Sequence, residues 1–91
     1  MESTREFEMM YKGNLEVFEV SFIWEAWEDC YDSSDSSSIF WEWSHVMVRL
    51  SYTTEDGETI NIAPMEYNAM LPELRELVLY NINAQIENEI Y

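Results

Sequence analysis

The chain has one cysteine, Cys30, and one histidine, His45, among 91 residues. A thiolate activated by an imidazole is the simplest nucleophilic centre two such residues could form. Their spacing offers no third group to orient the imidazole, and His45 lies in strand-type sequence, so the pair does not read as catalytic. Asp29, Asp32 and Asp35 bring three carboxylates together in sequence but lack the alternate ligands and central glycine of a calcium loop. With 19 Asp and Glu residues, carboxylate pairs for acid–base work are too numerous to be specific. No glycine-rich phosphate loop, CxxC or HExxH motif is present. The expectation is a protein that is not an enzyme and uses no cofactor or metal.

What remains is binding chemistry. Trp24, Trp27, Tyr31, Trp41 and Trp43 interleave with Glu25, Glu28, Asp29, Asp32 and Glu42, and Asp35 follows close by. Tryptophan and tyrosine are over-represented among interface hot spots. Carboxylates around aromatic anchors suit a partner with arginines beside an apolar pocket. All eleven residues form the candidate partner-binding set. A small sheet also needs large core side chains, so Trp24 and one of Trp41 and Trp43 are expected to serve the core. Trp27 and the other of that pair are the better interface candidates.

The charge balance narrows the class of partner. Nineteen acids against four cations, Arg5, Lys12, Arg49 and Arg75, give a formal charge of −15. No basic patch can form for direct contact with nucleic acid, and an anionic membrane would repel the chain. No apolar run approaches a membrane span. The first residues lack a secretory signal, and a single cysteine fits a reducing compartment. Host-cell cytoplasm is the expected location. A compact globule of this length would have a radius of gyration of about 12 Å and a diameter of roughly 32 Å. B-DNA of that length carries roughly 19 phosphate charges, close to the charge of this chain. Such a body would be steered toward basic clefts, though acidity also serves plain solubility.

At 47% hydrophobic and 15% aromatic, the chain has material for one core and no more than one domain. Residues 1–13 read as a loosely held leader ending at a Gly13-Asn14 turn signal. Residues 15–24 alternate apolar and polar side chains as a strand does. A helix capped by Asn14 is the rival, with Val17, Val20, Trp24, Trp27 and Tyr31 on one stripe. Residues 32–38 read as a polar loop, with a phosphoacceptor patch as the alternative. Residues 40–53 predict a long strand with Val46, Val48, Leu50 and Tyr52 on one side. Asp56-Gly57 marks a hairpin turn and residues 58–63 the return strand. Pro64 suits the first turn of a helix. From Pro72 onward, Leu74, Val78, Ile82, Ile86 and Ile90 recur every four residues, with Leu71 and Leu77 beside them, as the apolar stripe of an amphipathic helix. The predicted class is α+β: a small antiparallel sheet of about three strands packed against a C-terminal helix.

Two short motifs carry a family resemblance. Tyr11-Lys12-Gly13-Asn14-Leu15 with Phe18 reads Y-x-G-N-L-x-x-F. Residues 23–31 read I-aromatic-acid-x-W-x-D-x-Y, through Trp24, Glu25, Trp27, Asp29 and Tyr31. A strand with Arg49, a turn at Gly57, a return strand with Ile60 and a C-terminal helix follow. In this order the chain resembles the small early phage inhibitors, of the phage T7 type, that act on the host dGTP triphosphohydrolase. The resemblance implies a non-catalytic protein that binds the host enzyme and protects the dGTP pool. Two other readings stand beside it. One is a DNA mimic, as in anti-restriction or anti-CRISPR proteins, occupying the DNA cleft of a nuclease or surveillance complex. The other is an ordinary acidic protein-interaction domain.

Overall fold

The alternation of side chains from Glu2 onward is that of a strand half-buried on one face. In a computed structural model, which describes residues 1–30 and 39–91, Glu2–Tyr11 forms β1, an outer strand of the sheet. The expected loose leader is therefore part of the fold. Its inward positions include two polar residues, which hid the alternation, and each has a partner in place of water. The Ser3 hydroxyl accepts a 2.9 Å hydrogen bond from Trp24 Nε1 and donates one of 2.6 Å to Glu89. Arg5 donates from Nε to Asn81 Oδ1 at 3.0 Å and from Nη1 to Gln85 Oε1 at 3.2 Å.

Lys12 and Gly13 turn the chain, with φ of 51° and 83°, between the paired residues Tyr11 and Asn14. Two successive positive φ values make a two-residue turn whose twist matches the flanking strands. The turn thus lies one residue earlier than the Gly13-Asn14 signal, and glycine takes the second left-handed position without steric cost. β2 then runs Asn14–Cys30, so residues 15–24 are strand rather than helix. β3 is Ile39–Thr53 and β4 is the short Thr59–Asn61, in an antiparallel sheet ordered β1-β2-β3-β4. Among the described residues the strands number four, one more than expected, because the leader supplies the first. The expected polar loop at 32–38 lies outside the described residues.

α1 spans Pro64–Ala69 and α2 spans Pro72–Ile90, each with proline in its first turn. Val78, Ile82 and Ile86 of α2 are fully buried against Phe18, Val20, Phe22 and Leu50 of the sheet. Leu74 and Ile90 flank them, half-buried, while Leu71 and Leu77 face solvent. Rings of Phe7, Tyr11 and Tyr52 surround Phe18 at centroid distances of 5.2–5.8 Å.

The register between β2 and β3 shifts after the Ser21–Arg49 pair, and Phe22 faces Met47. Val48 is the extra residue of a bulge. The expected common face of Val46, Val48, Leu50 and Tyr52 is therefore broken. Leu50 and Tyr52 face α2, whereas Val46 and Val48 are 69% and 54% exposed. Simple alternation fails here because one inserted residue reverses every side chain beyond it.

The molecule measures 56 × 23 × 19 Å with a radius of gyration of 16.1 Å, not the compact globule its length suggests. β2 sets this length, since 17 strand residues reach roughly 56 Å. β1 and α2 cover only part of it. Beyond Trp24 and Trp43, β2 and β3 continue as a two-stranded arm.

Arg5 ties the sheet to α2, and its partner Asn81 is 6% exposed. Arg5→Ala leaves the buried Asn81 oxygen without that donor and is expected to cost about 2–3 kcal/mol, read as a lower urea midpoint.

Candidate interaction face

One face of the sheet packs on α2, and strand pairing fixes what the other presents. From β1 come Glu2, Glu6 and Glu8; from β2, Glu19, Glu25 and Asp29; from β3, Glu42. Arg49 is the single cation among the described residues of this open face, 3.6 Å from Glu19. Both partners are substantially exposed, so the pair adds little stability. The carboxylates flank an apolar band. Val17 is 44%, Ile23 51% and Trp27 42% exposed. Ile23 pairs with Val46, and Trp27 pairs with Glu42. Thr4 and Ser21 hydroxyls meet at 3.3 Å between them.

The candidate residues divide across the two faces. Glu25, Trp27, Asp29 and Glu42 come together on the open face of the arm. Glu28 and Trp41 form a cross-strand pair on the opposite face. Trp24 is not available to a partner. It is 2% exposed, and its indole N–H is taken by Ser3. Trp43 is half-buried against the core, with Nε1 donating to Asn83 Oδ1 at 2.8 Å. Both tryptophans are thus structural, because their inward parity places them under the C-terminal half of α2. Tyr31, Asp32 and Asp35 lie outside the described residues.

Sequence reasoning missed Glu2, Glu6, Glu8 and Glu19, together with Ile23, Val46 and Val48. The signal was the two-residue period of 2–8, whose outward positions are Glu2, Thr4, Glu6 and Glu8.

Other chemistry is not assembled in the described residues. His45 pairs with Trp24, six residues from Cys30 along β2, which separates their backbones by roughly 20 Å. No group of three or more His, Cys, Asp or Glu side chains there could hold a metal ion. A concavity of about 400 Å³ lies between the first turn and the α1–α2 junction, lined by Tyr11, Lys12, Glu66, Ala69, Met70, Leu71 and Leu74. It is mostly apolar and lies far from the tryptophans. Tyr67 on α1 has its hydroxyl pKa raised by burial, an effect that nearby Arg75 opposes. No helix among the described residues is long and apolar enough to cross a membrane.

No protein-family model matches this chain, and neither a curated protein nor a solved structure does.

Proposed function

We propose that this protein is a non-catalytic acidic inhibitor, acting in the cytoplasm of a host cell. It docks the open face of its sheet on a basic surface of an enzyme that handles nucleotides or nucleic acids. The observation that carries this reading is the segregation of charge and apolar area on that face. Seven carboxylates and one guanidinium share that face with exposed Val17, Ile23, Trp27 and Val46; Glu2, Glu25, Asp29 and Glu42 adjoin the last three, and no element of the described fold covers them. An enzyme that attracts polyanionic nucleotides presents arginines and lysines around its site, and complementary potential steers the encounter. Apolar anchors at the centre of such a face hold the complex once formed. The host dGTP triphosphohydrolase is the target to which the Y-x-G-N-L and W-x-D-x-Y motifs point.

The test is titration of purified bacterial dGTP triphosphohydrolase with this protein while dGTP hydrolysis is followed, with and without single-stranded DNA. Activity is expected to fall to a plateau near a stoichiometric ratio. Unchanged hydrolysis at large molar excess removes that target.

The elongated shape favours a second reading, the DNA mimic, in which carboxylates stand in for phosphates in a nuclease or surveillance-complex cleft. Magnitude counts against it. B-DNA as long as this molecule carries roughly 33 charges, more than twice the −15 here. A mimic would compete with duplex DNA and lose affinity steeply with salt. A face anchored by Trp27 would respond less to salt.

A further inference from the structure

Among the described residues, the outer edge of β3 is the one long strand edge not guarded with charge. Its hydrogen-bonding groups face outward at known positions. The Met1 ammonium donates to the Trp24 carbonyl at 2.7 Å, and the Trp24 N–H donates to the Met1 carbonyl at 2.8 Å. The main chain of Trp24 is thus directed at β1. Its partner His45 must then point its own N–H and C=O away from β2, to the free side. By alternation, Trp43 and Met47 do the same. β4 covers the edge only from Leu50 onward, where Ile62 N–H donates to the Leu50 carbonyl at 2.8 Å. Among the described residues, 39–49 are left without a paired strand over roughly 36 Å, with Pro64, Tyr67 and Asn68 of α1 across a concavity from Met47–Arg49.

Exposed edges are ordinarily blunted with charge. β1 has Glu2, Glu6 and Glu8, and the uncovered part of β2 has Glu25, Glu28 and Asp29. β3 has one acid, Glu42, and one base, Arg49, so all of the net charge of −15 lies elsewhere.

We infer that the β3 edge is a self-association site, on which a second copy of this chain pairs antiparallel to form a continuous eight-stranded sheet. An isologous pairing that uses the whole free edge is centred on Ser44. It sets Trp43 against the partner's His45, with their main chains exchanging hydrogen bonds. Glu42 then faces the partner's Val46, and the partner's Arg49 is its diagonal neighbour on the same face, within reach of a long side chain. The complementarity occurs twice by symmetry. The acidic β2 strands stand about 14 Å apart, three strand spacings, which exceeds the ~8 Å screening length at physiological salt. The two-fold axis is perpendicular to the sheet, so both open faces point the same way.

Repulsion between two anionic bodies gives the association a distinctive salt response. It strengthens as salt rises, the reverse of docking on a basic partner. Sedimentation velocity of the full chain is expected to show 10.9 kDa monomer at low salt and twice that mass at high salt and near-millimolar concentration. Val46→Glu, which sets a carboxylate opposite each Glu42, abolishes the dimer. Val46→Lys tightens it by roughly threefold to tenfold. His45→Pro removes only an outward N–H and also dissociates it, with circular dichroism confirming that the strands persist. Monomer at every salt concentration overturns the assignment, as does a dimer indifferent to both Val46 variants. Neither outcome touches the inhibitor reading, whose assay follows a different protein's activity.

Discussion

Trp27→Ala is expected to weaken inhibition of dGTP triphosphohydrolase by roughly 30-fold or more, about 2 kcal/mol, while leaving thermal stability nearly unchanged. The indole is 42% exposed on the arm, where it pairs with Glu42 and lies two residues from both Glu25 and Asp29. The proposed docking would bury this exposed surface. Carboxylates around it would pair with cations at the rim of the same contact. Trp41→Ala is the control, because Trp41 lies on the opposite face of the same arm with Glu28. The two variants differ in face but not in residue type or position along the arm. Equal inhibition constants for Trp27→Ala and the unaltered protein would remove the open face from the proposal.

Phe18→Ala should have the larger effect on folding. Phe18 is fully buried, stacked near Phe7 and edged or tilted against Tyr11 and Tyr52. It also lies beneath the α2 stripe. Truncating a buried phenylalanine costs about 3–5 kcal/mol, because surrounding side chains fill the void only in part. A domain of this size has a total stability of about 5–14 kcal/mol. The variant is therefore expected to lose roughly a fifth or more of its stability, seen as a large drop in urea midpoint with the slope unchanged. A drop of under 1 kcal/mol would mean that the ring cluster is not the centre of the core.

The helix was legible in the sequence because its apolar residues recur every four positions without interruption, from Leu74 to Ile90. β4 and the Gly57 turn were legible for similar local reasons. β1 was not, because its inward residues Ser3 and Arg5 are polar, and what justifies burying them lies some 80 residues away at Asn81, Gln85 and Glu89. The bulge was also hidden. No residue type announces Val48 as the inserted one, and the valines around it suit either face. The site was half legible for the same reason. The acid–aromatic cluster at 24–29 and 41–43 was plain. Its division into two faces required the register, which placed Trp24 and Trp43 inside and added the β1 glutamates outside.

The arm also bears on how this protein can change over generations. Past Ala26 and Trp43, the paired strands lie outside the layer that α2 covers, so few of their side chains are needed to hold the core. Substitutions there meet little resistance from folding and can answer mainly to whatever the protein recognises. The covered part of the sheet is under the opposite constraint, with each inward residue fixed by several neighbours. A lineage built this way can drift rapidly in target preference while its scaffold stays still, and similarity between distant members would then survive in the core pattern and fade first along the arm.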